Sequence, residues 1–143
     1  MRMEMKMLLS VALLLMLSMA MVRVSIAKEY KTYEPIVLTG DVQYEMFKDA
    51  NDKPERAIIL ILSKPIDVAE DEYGYANKNV RKIQIVLVAD PMKNVMSKTE
   101  KLIVGRHVKI NGTLFHSQTA HHHTPVLIEV DLYKGGNQIT IEN

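Results

Sequence analysis

The chain has 143 residues, a formal net charge of +1 at pH 7 and no cysteine. The lack of cysteine excludes a disulfide framework, a thiol nucleophile, a zinc–thiolate site and a lipoprotein anchor. The even balance of acidic and basic residues gives no sign of a polyanionic partner.

The first 27 residues predict a cleavable secretory signal peptide. Basic residues near the start precede an apolar run at residues 8–22, and Ser25-Ile26-Ala27 supplies the small residues of a cleavage site. The run has 15 residues, whereas about 20 are needed to span a bilayer. We therefore expect cleavage after Ala27, with Ala20 as the alternative, and no stable membrane insertion afterwards. The mature protein is expected to be periplasmic or secreted.

Residues 28–143 are predicted to form one domain, because their number is sufficient for a hydrophobic core of its own. Without the leader this part carries 15 Lys and Arg against 16 Asp and Glu. Proteins that bind DNA or RNA usually have a basic surplus. The charge of the mature chain therefore indicates no nucleic-acid partner.

Five segments are predicted to be β-strands, because each alternates in polarity or is a short apolar run. They are residues 36–46, 57–62 (with an extension to 68 left open), 80–89, 107–115 and 126–133, and a short edge strand is expected at 138–142. Gly40 and Gly112 occupy apolar positions of the alternating pattern in the first and fourth predicted strands, where they indicate bulges or bends. The pattern places these residues in the core: Val42, Tyr44, Ile85, Ile110, Leu114, Ile128 and Val130.

One helix is predicted between the third and fourth strands. Asp90 is a suitable N-cap, Pro91 a suitable first residue, and Gly105 a stop signal. Apolar residues recur at helical spacing, at Met92, Val95, Met96, Leu102 and Ile103. We expect Met96 and Leu102 to pack on the core.

The order of three strands, a helix and two strands is that of the OB fold, so we predict a mainly β, five-stranded OB-like barrel. A small β-sandwich or an open meander would use the same strands and remains the alternative. The acidic segment Glu70-Asp71-Glu72 lies between the second and third strands. It has no spacing of a calcium loop and is interpreted as solvated.

A histidine-rich segment between the fourth and fifth strands is the densest polar feature. In an OB barrel this loop and the loop after the first strand flank the usual ligand face. The candidate ligand-binding residues are His116, Thr119, His121, His122, His123 and Thr124.

The same segment raises the question of a metal site. Imidazole binds zinc and copper, and a catalytic zinc takes three protein ligands. Neighbouring residues of an extended segment point to opposite sides, so at most His121 and His123 are expected to converge, with His116 as the candidate for a third ligand. Hydrogen bonding by these histidines, within the loop or to a ligand, is therefore favoured, and no metal cofactor is expected.

The stretch from Leu102 to His116, followed by Thr119 to Leu127, resembles a bacterial family, the domain of unknown function 4431. The family pattern has a Gly-x-x-Val-x-x-x-Gly-x-Leu-Phe segment and then a Thr-Gly-His-His-x-Thr-x-Val segment. Ala120 departs from the glycine of the second segment. Upstream, Leu38–Val42 and Leu62–Ile66 resemble the first two strands of the family. The resemblance implies an exported β domain and brings no known activity with it.

The sequence thus favours an exported, non-enzymatic binding or inhibitory module that engages an envelope glycan or a protein partner through the histidine-rich loop. This step rests on analogy between folds. A metal-binding protein that uses His116, His121 and His123 is the first alternative. A small hydrolase, with histidines as general bases beside acidic residues, is the second. The oligomeric state cannot be read from the sequence.

Overall fold

A computed structural model describes residues 27–90, 94–134 and 138–143. The predicted signal peptide, apart from Ala27, and the predicted helical residues Pro91 and Met92 lie outside these ranges. The strands are β1 (Glu29–Tyr30), β2 (Pro35–Lys48), β3 (Pro54–Val68), β4 (Asn77–Val88), β5 (His107–His116), β6 (Val126–Asp131) and β7 (Ile139–Ile141). Helix α1 spans Val95–Ile103, and a short 3-10 turn spans Leu132–Lys134. Among these residues, no helix has the length and apolar character needed to cross a membrane.

Five of the strands close into a ring. Strand β3 pairs with β2 and β4, β4 pairs with β6, β6 with β5, and β5 returns to β2. All of these pairings are antiparallel except that of β4 with β6, which is parallel. This arrangement, with the helix between the third and fourth strands of the ring, is an OB-like barrel. The predicted fold class is therefore confirmed.

Two glycines permit the close strand contacts of this barrel. Strand β2 exchanges its partner at Gly40, which pairs with Leu62 of β3 and with Val108 of β5. A Cβ atom on Gly40 would lie 2.1 Å from the carbonyl oxygen of Ile61. One on Gly112 would lie 2.5 Å from the carbonyl oxygen of Glu129. Both positions therefore exclude a side chain because two backbones meet there.

The predicted core is confirmed at six positions, all buried: Val42, Ile85, Ile110, Leu114, Ile128 and Val130. The prediction was wrong for Tyr44, which is only half-buried. Its hydroxyl donates to Glu100 Oε1 at 2.6 Å, and the Arg56 guanidinium lies 4.0 Å from the centre of its ring. The physical reason is that β2 beyond Asp41 pairs only with β3, so this part of the strand forms a hairpin that extends from the ring.

The helix differs from the prediction at both its start and its inner face. It begins at Val95, preceded by Asn94 in the left-handed conformation, so Asp90 is not its N-cap. Met96 and Leu102 are 37% and 61% exposed, whereas Ile103 is 1% exposed. The predicted packing of Met96 and Leu102 was therefore wrong. With nine residues, the helix contacts the core through its last turn, and Gly105, with φ of 80°, ends it as predicted.

The remaining differences concern strand ends. Strand β3 continues through Pro65 to Val68, which confirms the extension that the sequence left open. Strand β6 stops at Asp131, because the chain turns at Leu132–Lys134. Strand β1 is too short to show a period, and it pairs in parallel with the end of β3.

Candidate ligand-binding site

The loop between β5 and β6, residues 117–125, is named the histidine loop below. On one side it contacts the hairpin of β2 and β3, and on the other it lines a pocket together with the β3–β4 loop at residues 69–76. The histidines are divided between these sides. His121 and His123 face the hairpin, whereas His116, at the end of β5, faces the β3–β4 loop.

Glu55 on β3 joins two of the histidines. Its Oε1 lies 2.8 Å from His121 Nδ1 and its Oε2 lies 2.9 Å from His123 Nε2. The ring of His123 also stacks on Phe47, with centroids 4.5 Å apart. Partial burial acts to raise the pKa of Glu55, but hydrogen bonds and charge attraction from both histidines outweigh it and lower that pKa. Two contacts to a single carboxylate thus attach the histidine loop to the hairpin.

Gln84 on β4 attaches the backbone of the same loop. Its side-chain oxygen accepts the N–H of His123 at 2.7 Å, and its amide nitrogen donates to the carbonyl of His121 at 3.0 Å. The buried hydroxyl of Thr124 accepts the N–H of Gln84 at 2.9 Å and donates to the carbonyl of Val126 at 2.6 Å. These bonds satisfy the backbone groups of His121, His123, Gln84 and Val126 at the point where the loop meets the sheet.

His122 organises the interior of the loop. Its Nδ1 accepts the N–H groups of Gln118 at 2.9 Å and Thr119 at 3.3 Å, and its ring meets Phe115 edge-on at 5.4 Å. Burial, and then the charges of His121 and His123, lower the pKa of His122. The lower pKa favours the neutral imidazole, which is the form that has an acceptor nitrogen.

Five of the six predicted ligand-binding residues therefore take part in hydrogen bonds that shape the loop or attach it to the neighbouring strands. They are Thr119, which accepts the N–H of His121 through its hydroxyl, together with His121, His122, His123 and Thr124. The structure does not bring His116 together with His121 and His123. Within the described ranges, no group of three His, Asp or Glu residues is arranged to hold a metal ion.

His116 lies apart from this framework and is 3% exposed. Neither of its ring nitrogens has a hydrogen-bond partner. Its Nε2 is 3.9 Å from Asp71 Oδ2, which is beyond hydrogen-bond distance, and both side chains are 4% exposed. Buried polar atoms without partners are uncommon in folded proteins, and each calls for an explanation, such as a functional role or a bound water or ion.

Asp71 is held by the turn in which it lies. Its Oδ1 accepts the N–H groups of Tyr73 at 2.9 Å and Tyr75 at 3.0 Å, and Gly74 adopts a φ of 82° between them. This is an Asx-type turn, in which an aspartate closes the loop with its side chain. The turn leaves Oδ2 directed at His116.

A pocket of about 560 Å³ lies over the His116–Asp71 pair. Its lining residues are Asp71, Tyr73, Tyr75, His116, Ser117, Gln118, Thr119 and Ala120. The Tyr73 and Tyr75 side chains are 67% and 60% exposed. Gln118 donates to the hydroxyl of Tyr33 at 3.1 Å, so a third exposed tyrosine adjoins the pocket. Apolar ring faces with a few convergent polar groups are typical of small-molecule sites.

Sequence reasoning did not assign Asp71, Tyr73 or Tyr75 to a site. The segment Glu70-Asp71-Glu72 was interpreted as solvated, and this is wrong for Asp71, whose side chain is buried. A signal was present, because an aspartate followed three residues later by glycine is typical of a tight turn. The proximity to His116 was not predictable from that signal.

The Glu55 contacts predict an acid-sensitive stability. The folded-state pKa of Glu55 is lowered, so its contribution is present above the ordinary glutamate pKa of about 4.3 and is lost as pH falls through the folded value. We expect Glu55→Gln to have a lower free energy of unfolding than the parent protein at pH 7. The difference in unfolding free energy between the two proteins should become smaller by pH 3. Urea denaturation at pH 7, 5 and 3 measures this, and an unchanged difference at all three values would contradict it.

Residues 82–134 match the family model described as Domain of unknown function (DUF4431). The family resemblance is confirmed over this segment. The DUF4431 segment contains helix α1, strands β5 and β6 and the whole histidine loop. The upstream segments Leu38–Val42 and Leu62–Ile66 lie outside it.

Among solved structures, the chain is similar to the Plasmodium falciparum SSB complex with ssDNA. The identity is 17% and the TM-score 0.40, over 80% of this chain and 98% of that chain. A search of the curated proteins finds no match.

Proposed function

We propose that this protein is an exported, non-enzymatic binding module that takes an envelope glycan in the pocket over His116 and Asp71. The observation that carries the proposal is the buried His116, whose two ring nitrogens have no hydrogen-bond partner at the base of that pocket. A ligand that supplies those partners would relieve the cost of burying an unpaired polar group.

The lining chemistry supports a sugar as ligand. The exposed rings of Tyr73 and Tyr75 are flat apolar surfaces against which the C–H face of a sugar can stack. Gln118 adds an amide, which can both donate and accept. The hydroxyl of Ser117, which lines the pocket, donates to the carbonyl of His122 at 3.4 Å. That bond directs it to the loop backbone and supports binding rather than hydrolysis.

Co-sedimentation with purified peptidoglycan sacculi tests this function. We expect the protein to sediment with the sacculi, and Tyr75→Ala to reduce the bound fraction several-fold because a stacking surface is lost. Tyr133→Ala is the matched control, since Tyr133 is also 61% exposed but does not line the pocket. Equal losses in both variants, or no sedimentation of the parent protein, would contradict the proposal. If the protein instead captures an envelope protein, and Tyr75→Ala abolishes that capture, the ligand of the pocket is a protein and not a glycan.

Export is part of the same proposal and has a separate test. The basic start, short apolar run and small residues before position 28 predict a mature protein that begins at Lys28. Mass spectrometry of the envelope fraction should detect that N-terminus. An intact Met1 on a membrane-bound protein would contradict cleavage, and an N-terminus at Met21 would favour the site after Ala20.

A further inference from the structure

We propose that the ligand group received by this pocket is a protonated amine, so that the glycan is an amino sugar with a free amino group. This inference rests on the proposed function and deepens it by naming the chemical class of the ligand.

The pocket is acidic. Among its lining residues Asp71 is the only one with a formal charge at neutral pH, and no lysine or arginine is among them. Glu70 and Glu72 flank Asp71 in the chain. The pKa of Tyr73 is raised, first by the charge of Glu72 and by the hydrogen bond between Tyr73 and Glu72. Burial and the charges of the neighbouring Tyr33 and Asp71 raise it further. The same negative field that disfavours a tyrosinate at this wall favours a cation.

The Asp71 carboxylate has capacity for a further donor. Oδ1 already accepts two backbone N–H groups, whereas Oδ2 faces only the His116 ring, at 3.9 Å. The His116 side chain is itself 4% exposed and has no hydrogen-bond partner on either nitrogen. An ammonium group carries three donors. One of its N–H groups can therefore bond to Oδ2 while another is directed at the His116 ring, whose nitrogens have no partner.

The aromatic wall suits the same group. Tyr73 and Tyr75 line the pocket and Tyr33 adjoins it through Gln118. Ring faces attract ammonium groups, and aromatic cages that include a carboxylate are a recurring way to hold them. An N-acetylated sugar carries no charge at this nitrogen and would leave the carboxylate without a counterion, so sedimentation with sacculi is expected to depend on their free, non-acetylated amino groups.

Isothermal titration calorimetry of the purified protein distinguishes the two kinds of sugar. The probes are a β-1,4-linked glucosamine tetramer and the fully N-acetylated tetramer of the same linkage. We expect the amine tetramer to bind about tenfold more tightly or better, because a charge-assisted hydrogen bond is lost on acetylation. Tighter or equal binding of the acetylated tetramer would overturn the inference and leave the glycan-binding function standing.

Two variants separate the Asp71 charge from general electrostatics. Asp71→Asn keeps an oxygen for the N–H groups of Tyr73 and Tyr75 and removes the charge, so it should abolish the preference for the amine tetramer. Asp49→Asn is the matched control, because Asp49 Oδ1 accepts the N–H groups of Asn51 and Lys53, both at 2.8 Å, in a turn outside the pocket. Equal loss of preference in both variants would overturn the inference. If Asp71→Asn does not fold, the affinities of the unaltered protein for the two tetramers still show whether the pocket prefers an amine.

A trilysine peptide serves as the third probe. If it binds in an Asp71-dependent manner while neither tetramer binds, the amine is supported and the glycan assignment fails. If none of the three probes binds, the amine inference is overturned. Sedimentation with sacculi that persists in that case would retain the glycan function with a different ligand group.

Discussion

Alanine at position 40 is expected to destabilise the barrel by about 3 kcal/mol or to prevent folding. The new Cβ atom would lie 2.1 Å from the carbonyl oxygen of Ile61 and 2.8 Å from its carbonyl carbon. These atoms belong to the backbone of β3, which is paired with β2 at this point and cannot move away without breaking the ladder. If the new Cβ atom met a flexible side chain instead of backbone atoms, that side chain could move away and the loss of stability would be far smaller.

Urea denaturation followed by circular dichroism measures this effect. Val37→Ala is the control, because Val37 lies on the same strand and is 53% exposed. Its truncation should change stability by less than about 1 kcal/mol. A Gly40→Ala protein as stable as the Val37→Ala protein would contradict the close approach of β2 and β3.

Truncation of Ile110 to alanine should cost about 2–5 kcal/mol. Ile110 is fully buried on β5, at the centre of the barrel wall where β5 pairs with both β2 and β7. The loss combines the transfer free energy of the removed carbons with the cavity they leave. Ile128 on β6 is equally buried and its truncation should behave in the same way.

The neighbouring residue in each strand is the control. Lys109 is 53% exposed on its side chain and pairs with Glu142 at 3.3 Å. An exposed ion pair contributes about 0–1 kcal/mol, so Lys109→Ala should have a small effect, as should truncation of the exposed Glu129. Equal sensitivity of Ile110 and Lys109 in thermal or urea denaturation would place the strand in the opposite register.

The prediction of the core was confirmed where the alternation of apolar and polar residues matches the two faces of a strand in the barrel wall. Ile110 and Ile128 alternate with Lys109 and Glu129, and a strand of a closed ring has one face inside. The same reasoning failed at Tyr44, because its side of β2 is no longer covered by the ring. It also failed at Leu102, since a helix of nine residues that touches the barrel through Ile103 does not bury its whole apolar stripe.

The candidate site shows the same division. The sequence located the histidine loop and indicated that His121 and His123 converge, and both contact Glu55. It did not reveal that carboxylate, which lies on a distant strand. His116 is buried at the end of β5, and the sequence gave no means of finding Asp71 beside it.

The sequence by itself determined the five strands of the ring and their order along the chain, the position of the helix between the third and fourth of them, and the resemblance to DUF4431. These features depend on hydrophobic period, turn residues and local motifs, which neighbouring residues specify. Only the tertiary structure decided that Glu55 holds two histidines and that Asp71 faces the unpaired ring of His116. Such contacts arise when barrel closure brings together loops that are far apart in the chain. Their distances follow from strand register and turn geometry, which the one-dimensional pattern does not encode.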